Sequence, residues 1–308
     1  MNKHILSIME LNSREVERII KLALTLKKRS KPLLKNMVLA MIFQKPSTRT
    51  RMSFEVAMHE LGGHAVNLTM SDIQLSRGET IEDTARTLSV YVDAIGARVH
   101  DHEDIVRLAN ASSVPVINML SDLYHPCQVL GDLLTVKELK GTLKGLKIAW
   151  VGDGDNVCNS LIAGCTMMGM NVQVACPSNY EPYKEAVDFA RKEAVKNKSS
   201  FEIVDDPKEA VRDADIVYTD SFVSMGKEEE KDARMKVFLP RYQVNADLMK
   251  LAKRDAIFMH CLPAKRGEEV TDDVIDGKQS VVWQEAENRL HVQKALLCFL
   301  LLRNLKGL

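Results

Sequence analysis

Met37-Val38-Leu39-Ala40-Met41-Ile42-Phe43 is followed, after Gln44-Lys45, by Pro46-Ser47-Thr48-Arg49-Thr50-Arg51, and then by Met52-Ser53-Phe54-Glu55-Val56-Ala57-Met58-His59-Glu60-Leu61. The first run is short and continuously apolar, which predicts a buried strand over 37–43. The last run predicts a helix over 48–61. The middle stretch sits where the strand ends and the helix begins. A helix N-terminus carries partial positive charge and unpaired N–H groups, so acids normally occupy its first turn. Here Arg49 and Arg51 stand there, and no Glu or Gln completes a capping box. Two guanidinium groups, the hydroxyls of Ser47, Thr48 and Thr50, and free N–H groups are expected to converge on an external anion, with phosphate the best fit. The plainer alternative is a solvated helix start with incidental basic residues. The next predicted helix offers the contrast, with Glu79, Glu82 and Asp83 in or near its first turn.

Outward from this stretch, strand and helix alternate. A helix is predicted over 12–29, then strands over 64–68, 94–99 and 116–120, with a helix over 80–90 and another opened by His125-Pro126-Cys127-Gln128. Residues 100–115 receive no helix in this reading, and His100 and His102 read as exposed loop residues rather than metal ligands. Gly141 and Gly145 in a short polar segment suggest a domain boundary. A second alternating set follows, with strands over 147–151, 171–175, 201–204, 215–219 and 256–259. Residues 224–241 read as a polar, charged loop with a helix inside it, and a last helix covers 285–305. The fold class is therefore α/β: two domains, each a mainly parallel sheet flanked by helices. The expected division is 1–140, 141–284 and a returning helix over 285–308.

The chain has 308 residues, enough for about two domains. Its 42 basic and 42 acidic residues give zero formal charge, which argues against a general nucleic-acid or membrane-surface binder. The N-terminal apolar run is too short for a signal peptide, and the run over 295–302 is too short to span a bilayer. Cys127, Cys158, Cys165, Cys176, Cys261 and Cys298 are scattered without a C-x-x-C pair, so no disulfide framework or metal site is expected and the cytoplasm is the expected compartment. No cofactor is expected either. Gly152-Asp153-Gly154 after a strand hints at a dinucleotide fingerprint, but Val157 stands at the third glycine position and no acid closes the next strand.

Open parallel sheets bind ligands beyond the carboxyl ends of their strands. The polar residues predicted there are Ser47, Thr48, Arg49 and Thr50, Arg98, His125 and Gln128 in the first half. In the second half they are Asn156, Asp220 and His260-Cys261. The first set offers cations and hydroxyls, the second an amide, a carboxylate and a thiol. Each residue also has an ordinary role open to it: a surface arginine, a helix cap, a turn aspartate, a buried cysteine. Together they favour one shared site for a phosphate compound and an amine.

Ser47-Thr48-Arg49-Thr50-Arg51, Gly96-Ala97-Arg98-Val99, His125-Pro126-Cys127-Gln128 and His260-Cys261-Leu262-Pro263 resemble the aspartate/ornithine carbamoyltransferase family. Asp220-Ser221-Phe222-Val223-Ser224-Met225-Gly226 resembles its ornithine branch, and the resemblance runs through nearly the whole chain in order. The resemblance implies that the two domains are joined by helices near the chain ends. It implies transfer of the carbamoyl group of carbamoyl phosphate to the δ-amine of L-ornithine, giving L-citrulline and phosphate, in arginine biosynthesis by default. It implies that Ser47, Thr48, Arg49 and Thr50 hold the phosphate, and that Arg98, His125 and Gln128 bind carbamoyl phosphate. Cys261 and Leu262 would contact its reacting end, and Arg289 would complete the clamp. Gln74 would reach carbamoyl phosphate from a neighbouring subunit of a homotrimer, or of an assembly of trimers. Asn156, Asp220, Ser224 and Met225 would bind ornithine, and Arg49, Arg98, His125, Asp220 and Cys261 would carry the chemistry. Two departures stand out: Asp155 where Asn is frequent, and Phe222 where Trp is common. Cys261 is not expected to be a covalent nucleophile, because strand alternation would turn His260 to the opposite face. The alternatives are a carbamoyltransferase for another acceptor and a non-catalytic carbamoyl-phosphate sensor.

Overall fold

A computed structural model describes residues 3–224 and 226–302. The predicted alternation is realised as two all-parallel sheets, the first of four strands and the second of five. Contacts within the chain divide it into two compact units. The first runs up to Leu134 and resumes at Glu287; the second is Thr135–Ala286.

In the first unit the order is α1 (Ser13–Lys28), β1 (Val38–Phe43), α2 (Thr48–Glu60), β2 (His64–Thr69), α3 (Ile81–Ser89), β3 (Ala94–Arg98), α4 (His102–Ala111) and β4 (Val116–Leu120). The sheet order is β2-β1-β3-β4. Five of the six β1 residues are buried, as the apolar run requires. Ile42, Ile95, Ala97, Ile105, Leu108 and Val116 form part of one core. The chain steps to opposite sides of β1, so the crevice at the carboxyl ends of β1 and β3 is the switch point. Helix α4 corrects the sequence reading. His102 is not an exposed loop residue: it is half-buried in the first turn of α4, with Nδ1 2.8 Å from Ser121 Oγ. Asp101 caps this helix through Glu103 N–H, a start signal set within a polar stretch.

Helix α5 (Pro126–Lys140) leads from the first unit into the second. There follow β5 (Lys147–Val151), α6 (Asn156–Met167), β6 (Asn171–Ala175), α7 (Lys184–Asn197), β7 (Phe201–Val204), α8 (Pro207–Val211), β8 (Ile216–Tyr218), α9 (Lys231–Phe238), α10 (Ala246–Met249), β9 (Ile257–Met259) and α11 (Asp272–Ile275). The order β7-β6-β5-β8-β9 places this sheet's switch point between β5 and β8. Helix α12 (Val282–Leu301) begins in the second unit and ends in the first, three residues earlier at its start than predicted; residues 303–305 of that prediction lie outside those described. Within the first unit, Lys294 of α12 is buried and pairs with Glu60 of α2 at 2.6 Å.

The Gly-x-Gly turn after β5 has a packing cause. A Cβ on Gly154 would lie 2.3 Å from Pro182 N and 2.5 Å from the Glu181 carbonyl carbon. The glycine lets the 181–182 backbone approach.

Candidate active site

At the first switch point the start of α2 is built differently from most other helix starts. Helices α1, α3, α4, α6, α8 and α10 begin on a side chain that accepts a backbone N–H. Ser47 occupies the same place on α2 but makes no side-chain capping bond, and no acid lies in the first turn. Thr48 is exposed, Ser47 and Arg49 are half-buried and Thr50 is buried. Arg98 ends β3 and is buried; His125, just before α5, is buried too. Arg289 of α12 donates through Nη2 to Thr50 Oγ1 at 3.3 Å and through Nη1 to Gln128 Oε1. Gln128 Nε2 in turn donates to Asp132 Oδ1 at 2.8 Å. The unit thus gathers Arg49, Arg98 and Arg289 around His125. Burial first, then the charges of Arg289, Arg98 and Arg49, hold the His125 pKa well below its usual value. The surroundings therefore favour the neutral imidazole.

Arg51 does not join them, contrary to expectation. It is exposed, and its Nε lies 3.4 Å from Glu55 Oε1 one turn along the helix. Arg51 is two positions along from Arg49, which is about 200° around a helix. Gln74 is exposed on a separate 3-10 turn, Gln74–Arg77.

The second switch point is acidic. Asp155 caps α6, taking Val157 N–H on Oδ1 at 3.2 Å, and its Oδ2 accepts the Ser224 hydroxyl at 2.6 Å. Asn156 is the first residue of α6. Asp153, two positions before Asp155, is paired with the buried Arg234, which also donates to Phe222 O at 2.6 Å. Arg234 lies 4.8 Å over the Tyr180 ring. Burial, then the charge of Asp155, pushes the Asp153 pKa up to about 7. Asp220, after β8, is raised by burial despite bonds from Ser221 N–H and the Cys261 thiol. Met225, a predicted ornithine ligand, lies outside the described residues.

Beyond β9 the structure departs from the expected alternation. Donor atoms of Asp220, His260 and Cys261 lie within 4.8 Å of one another, so His260 does not turn away from Cys261. The strand has already ended at Met259, and Leu262 adopts a left-handed φ of 58°. Leu262 N–H donates to His260 Nδ1 at 2.9 Å, and His260 Nε2 is 3.0 Å from Glu269 Oε1. Both ring nitrogens are therefore committed to holding the turn, which leaves the imidazole poorly placed to act as a base on Cys261. Burial, then Asp220 and Glu285, raises the Cys261 thiol well above its usual value, so it is a protonated donor to Asp220.

The first parallel α/β unit thus carries arginines at its switch point, and the second carries carboxylates at its own. Residues 3–138 match the carbamoyl-P binding domain of aspartate/ornithine carbamoyltransferase and residues 144–300 its Asp/Orn binding domain, so the chain belongs to that family. It is 61% identical over 269 residues to the ornithine carbamoyltransferase of Pyrococcus horikoshii, covering 87% of this chain and 84% of that protein. It is 59% identical over 269 residues to the anabolic ornithine carbamoyltransferase of Pyrococcus furiosus, covering 87% and 85%. The solved structure of ornithine carbamoyltransferase from that organism superposes with a TM-score of 0.94 at 53% identity, covering 97% of each chain. Among the described residues no helix is long and apolar enough to cross a membrane.

Proposed function

We propose that the chain transfers the carbamoyl group of carbamoyl phosphate to the δ-amine of L-ornithine, giving L-citrulline and phosphate. The observation that carries this reading is the buried His125, set among Arg49, Arg98 and Arg289 beside an uncapped helix start. Ser47, Thr48, Arg49 and Thr50 hold the phosphate through hydroxyls, guanidinium and first-turn N–H groups. Arg98 and the neutral His125 polarise the carbonyl oxygen, with Gln128 and Arg289 fixing the rest of the molecule. Leu262 and Cys261 contact its reacting end. Asn156, Asp220, Ser224 and Met225 bind ornithine, and Asp220 with the Cys261 thiol positions its amine.

The amine resembles a lysine side chain, with an ordinary pKa of about 10.4, and must lose a proton before attack. Attack on the carbamoyl carbon places negative charge on the carbonyl oxygen, which the arginines stabilise as the C–O bond to phosphate breaks. The departing phosphate accepts the second amine proton. Gln74 is exposed and serves a neighbouring subunit in a homotrimer or an assembly of trimers. The similarity to an anabolic relative supports a place in arginine biosynthesis, and the scattered cysteines without a C-x-x-C pair suit the cytoplasm.

The test is citrulline formation from carbamoyl phosphate with ornithine, run beside aspartate, putrescine and N-acetylornithine. Turnover with ornithine alone is expected. Turnover only with another acceptor would overturn the assignment of Asp220 and Ser224. Binding of carbamoyl phosphate without turnover of any acceptor would make the protein a sensor.

A further inference from the structure

The reaction as read above leaves Asp155 without a part, although it is the side chain that joins the start of α6 to the segment after β8. Its Oδ1 caps the helix and its Oδ2 holds Ser224 Oγ. Asp220, the residue read as the amine ligand, acts on it directly from the carboxyl end of β8. We propose that Asp155 is a positioning residue for the acceptor: its ionised carboxylate clamps Ser224 to α6 and, beside Asp220, receives the α-ammonium group of the amino acid, so that acceptor binding releases a proton. This rests on the reading of the second unit as the ornithine-binding domain.

The surroundings give the proton linkage its sign. Facing Asp155 are Asp220 after β8, Ser224 and Lys227 on the segment that follows, and Val157 N–H on α6. Asp153 on the same turn, Cys158 on α6 and Cys261 after β9 also feel its charge. Glu181 and Glu230 line the adjoining cavity, of about 560 Å³, and Arg234 is engaged with Asp153 and Phe222 O. Lys227 is a cation acting on Asp155 directly, and it lies 3.8 Å from Asp153. Carboxylates therefore outnumber cations around the clamp. Enclosure by protein, then the Asp220 charge, pushes the Asp155 pKa up to about 7. Below that pH Asp155 holds a proton, and an arriving ammonium group favours its loss. Acceptor affinity then rises with pH, by at most about tenfold per pH unit for one proton released.

L-Norvaline, which has the five-carbon skeleton of ornithine but no δ-amine, reads this without titration of the attacking group. Its Kd would be measured between pH 6 and 8 by calorimetry at saturating carbamoyl phosphate, in buffers of different ionisation enthalpy. For the native protein the expected result is a Kd that falls at least about fivefold across this range, with proton release on binding. Asp155→Asn keeps the shape and removes the titration. It should bind norvaline equally at pH 6, several-fold more weakly at pH 8, and release fewer protons. Ser224→Ala should weaken binding at every pH and, by removing a bond that lowers the Asp155 pKa, move the pH dependence to higher pH. A native Kd that does not change with pH, an Asp155→Asn slope equal to the native one, or a Ser224→Ala variant that binds as the native protein does would each overturn the proposal. If Asp155→Asn does not fold, the native slope and the Ser224→Ala result still decide. A native protein that binds norvaline and makes citrulline, yet shows no slope, loses this proposal and keeps the acceptor reading. One that does neither loses both.

Discussion

The turns after β1 and β5 occupy equivalent places in two parallel sheets and carry opposite chemistry. Both feed a helix whose first turn points N–H groups at a switch point. At α2 the capping residue, Ser47, leaves those groups unused by its side chain, and Arg49 follows. At α6, Asp155 satisfies one of them, and further carboxylates collect beside it. The backbone field is the same in both. Whether a helix start suits an anion or a cation is decided by who caps it.

This contrast can be broken at either turn. The largest effect is expected at the second, where Arg234→Met strands the buried Asp153. Stability should fall by about 3–5 kcal/mol at pH 8, and by less at pH 6 as Asp153 takes up a proton, measured by urea unfolding. At the first turn Arg49→Ala should cut kcat/KM by about 10²–10³ with the unfolding midpoint unchanged. Arg51→Ala, which removes only an exposed i,i+4 contact, should stay within about twofold. Equal losses at both positions would mean that the whole basic stretch acts as a diffuse field.

A third test uses pH. Asp155 has a raised folded pKa, so its contribution to stability is present below the ordinary carboxylate range and is lost as pH rises through about 7. Asp155→Asn should therefore raise Tm at pH 8, by roughly 2–4 °C if the gain is about 1 kcal/mol, and do little at pH 5. The smallest effect compares two caps. Thr80→Ala removes the bond to Asp83 N–H and should cost about 1 kcal/mol. Ser47→Ala removes no such bond and should cost less than about 0.5 kcal/mol while weakening phosphate binding.

The parallel sheets were legible because their strands are short apolar runs bounded by glycine, proline and polar residues, and 116–120, 147–151, 171–175 and 201–204 coincide with β4 to β7. The basic start of α2 was legible because its charges contradict the helix dipole. What escaped notice depended on directions rather than composition. Arg51 lies two residues from Arg49 in sequence but on another face of α2. The turn at Leu262 ends the strand alternation from which His260 was placed; Pro263 marks a break there, but not the left-handed turn that brings His260 and Cys261 together. Asp155 was different. An aspartate immediately before a helix is a cap signal, but its tie to Ser224 spans 69 positions and needs the sheet to bring the two together. The place of His102 depends on distance in the same way: its partner, Ser121, lies beyond the next strand.

The tie between Arg289 and Thr50 also bears on how the molecule is born. Those residues are 239 positions apart, and both belong to the first unit, while the second unit is one uninterrupted piece of chain. On a ribosome, α2 with its arginine emerges early, yet the guanidinium that braces Thr50 and Gln128 is added only after the whole second unit has been made. Domains tend to fold as units while synthesis proceeds. The nascent second unit can thus complete its sheet while the first still waits for α12, and the arginine cluster around His125 is assembled last.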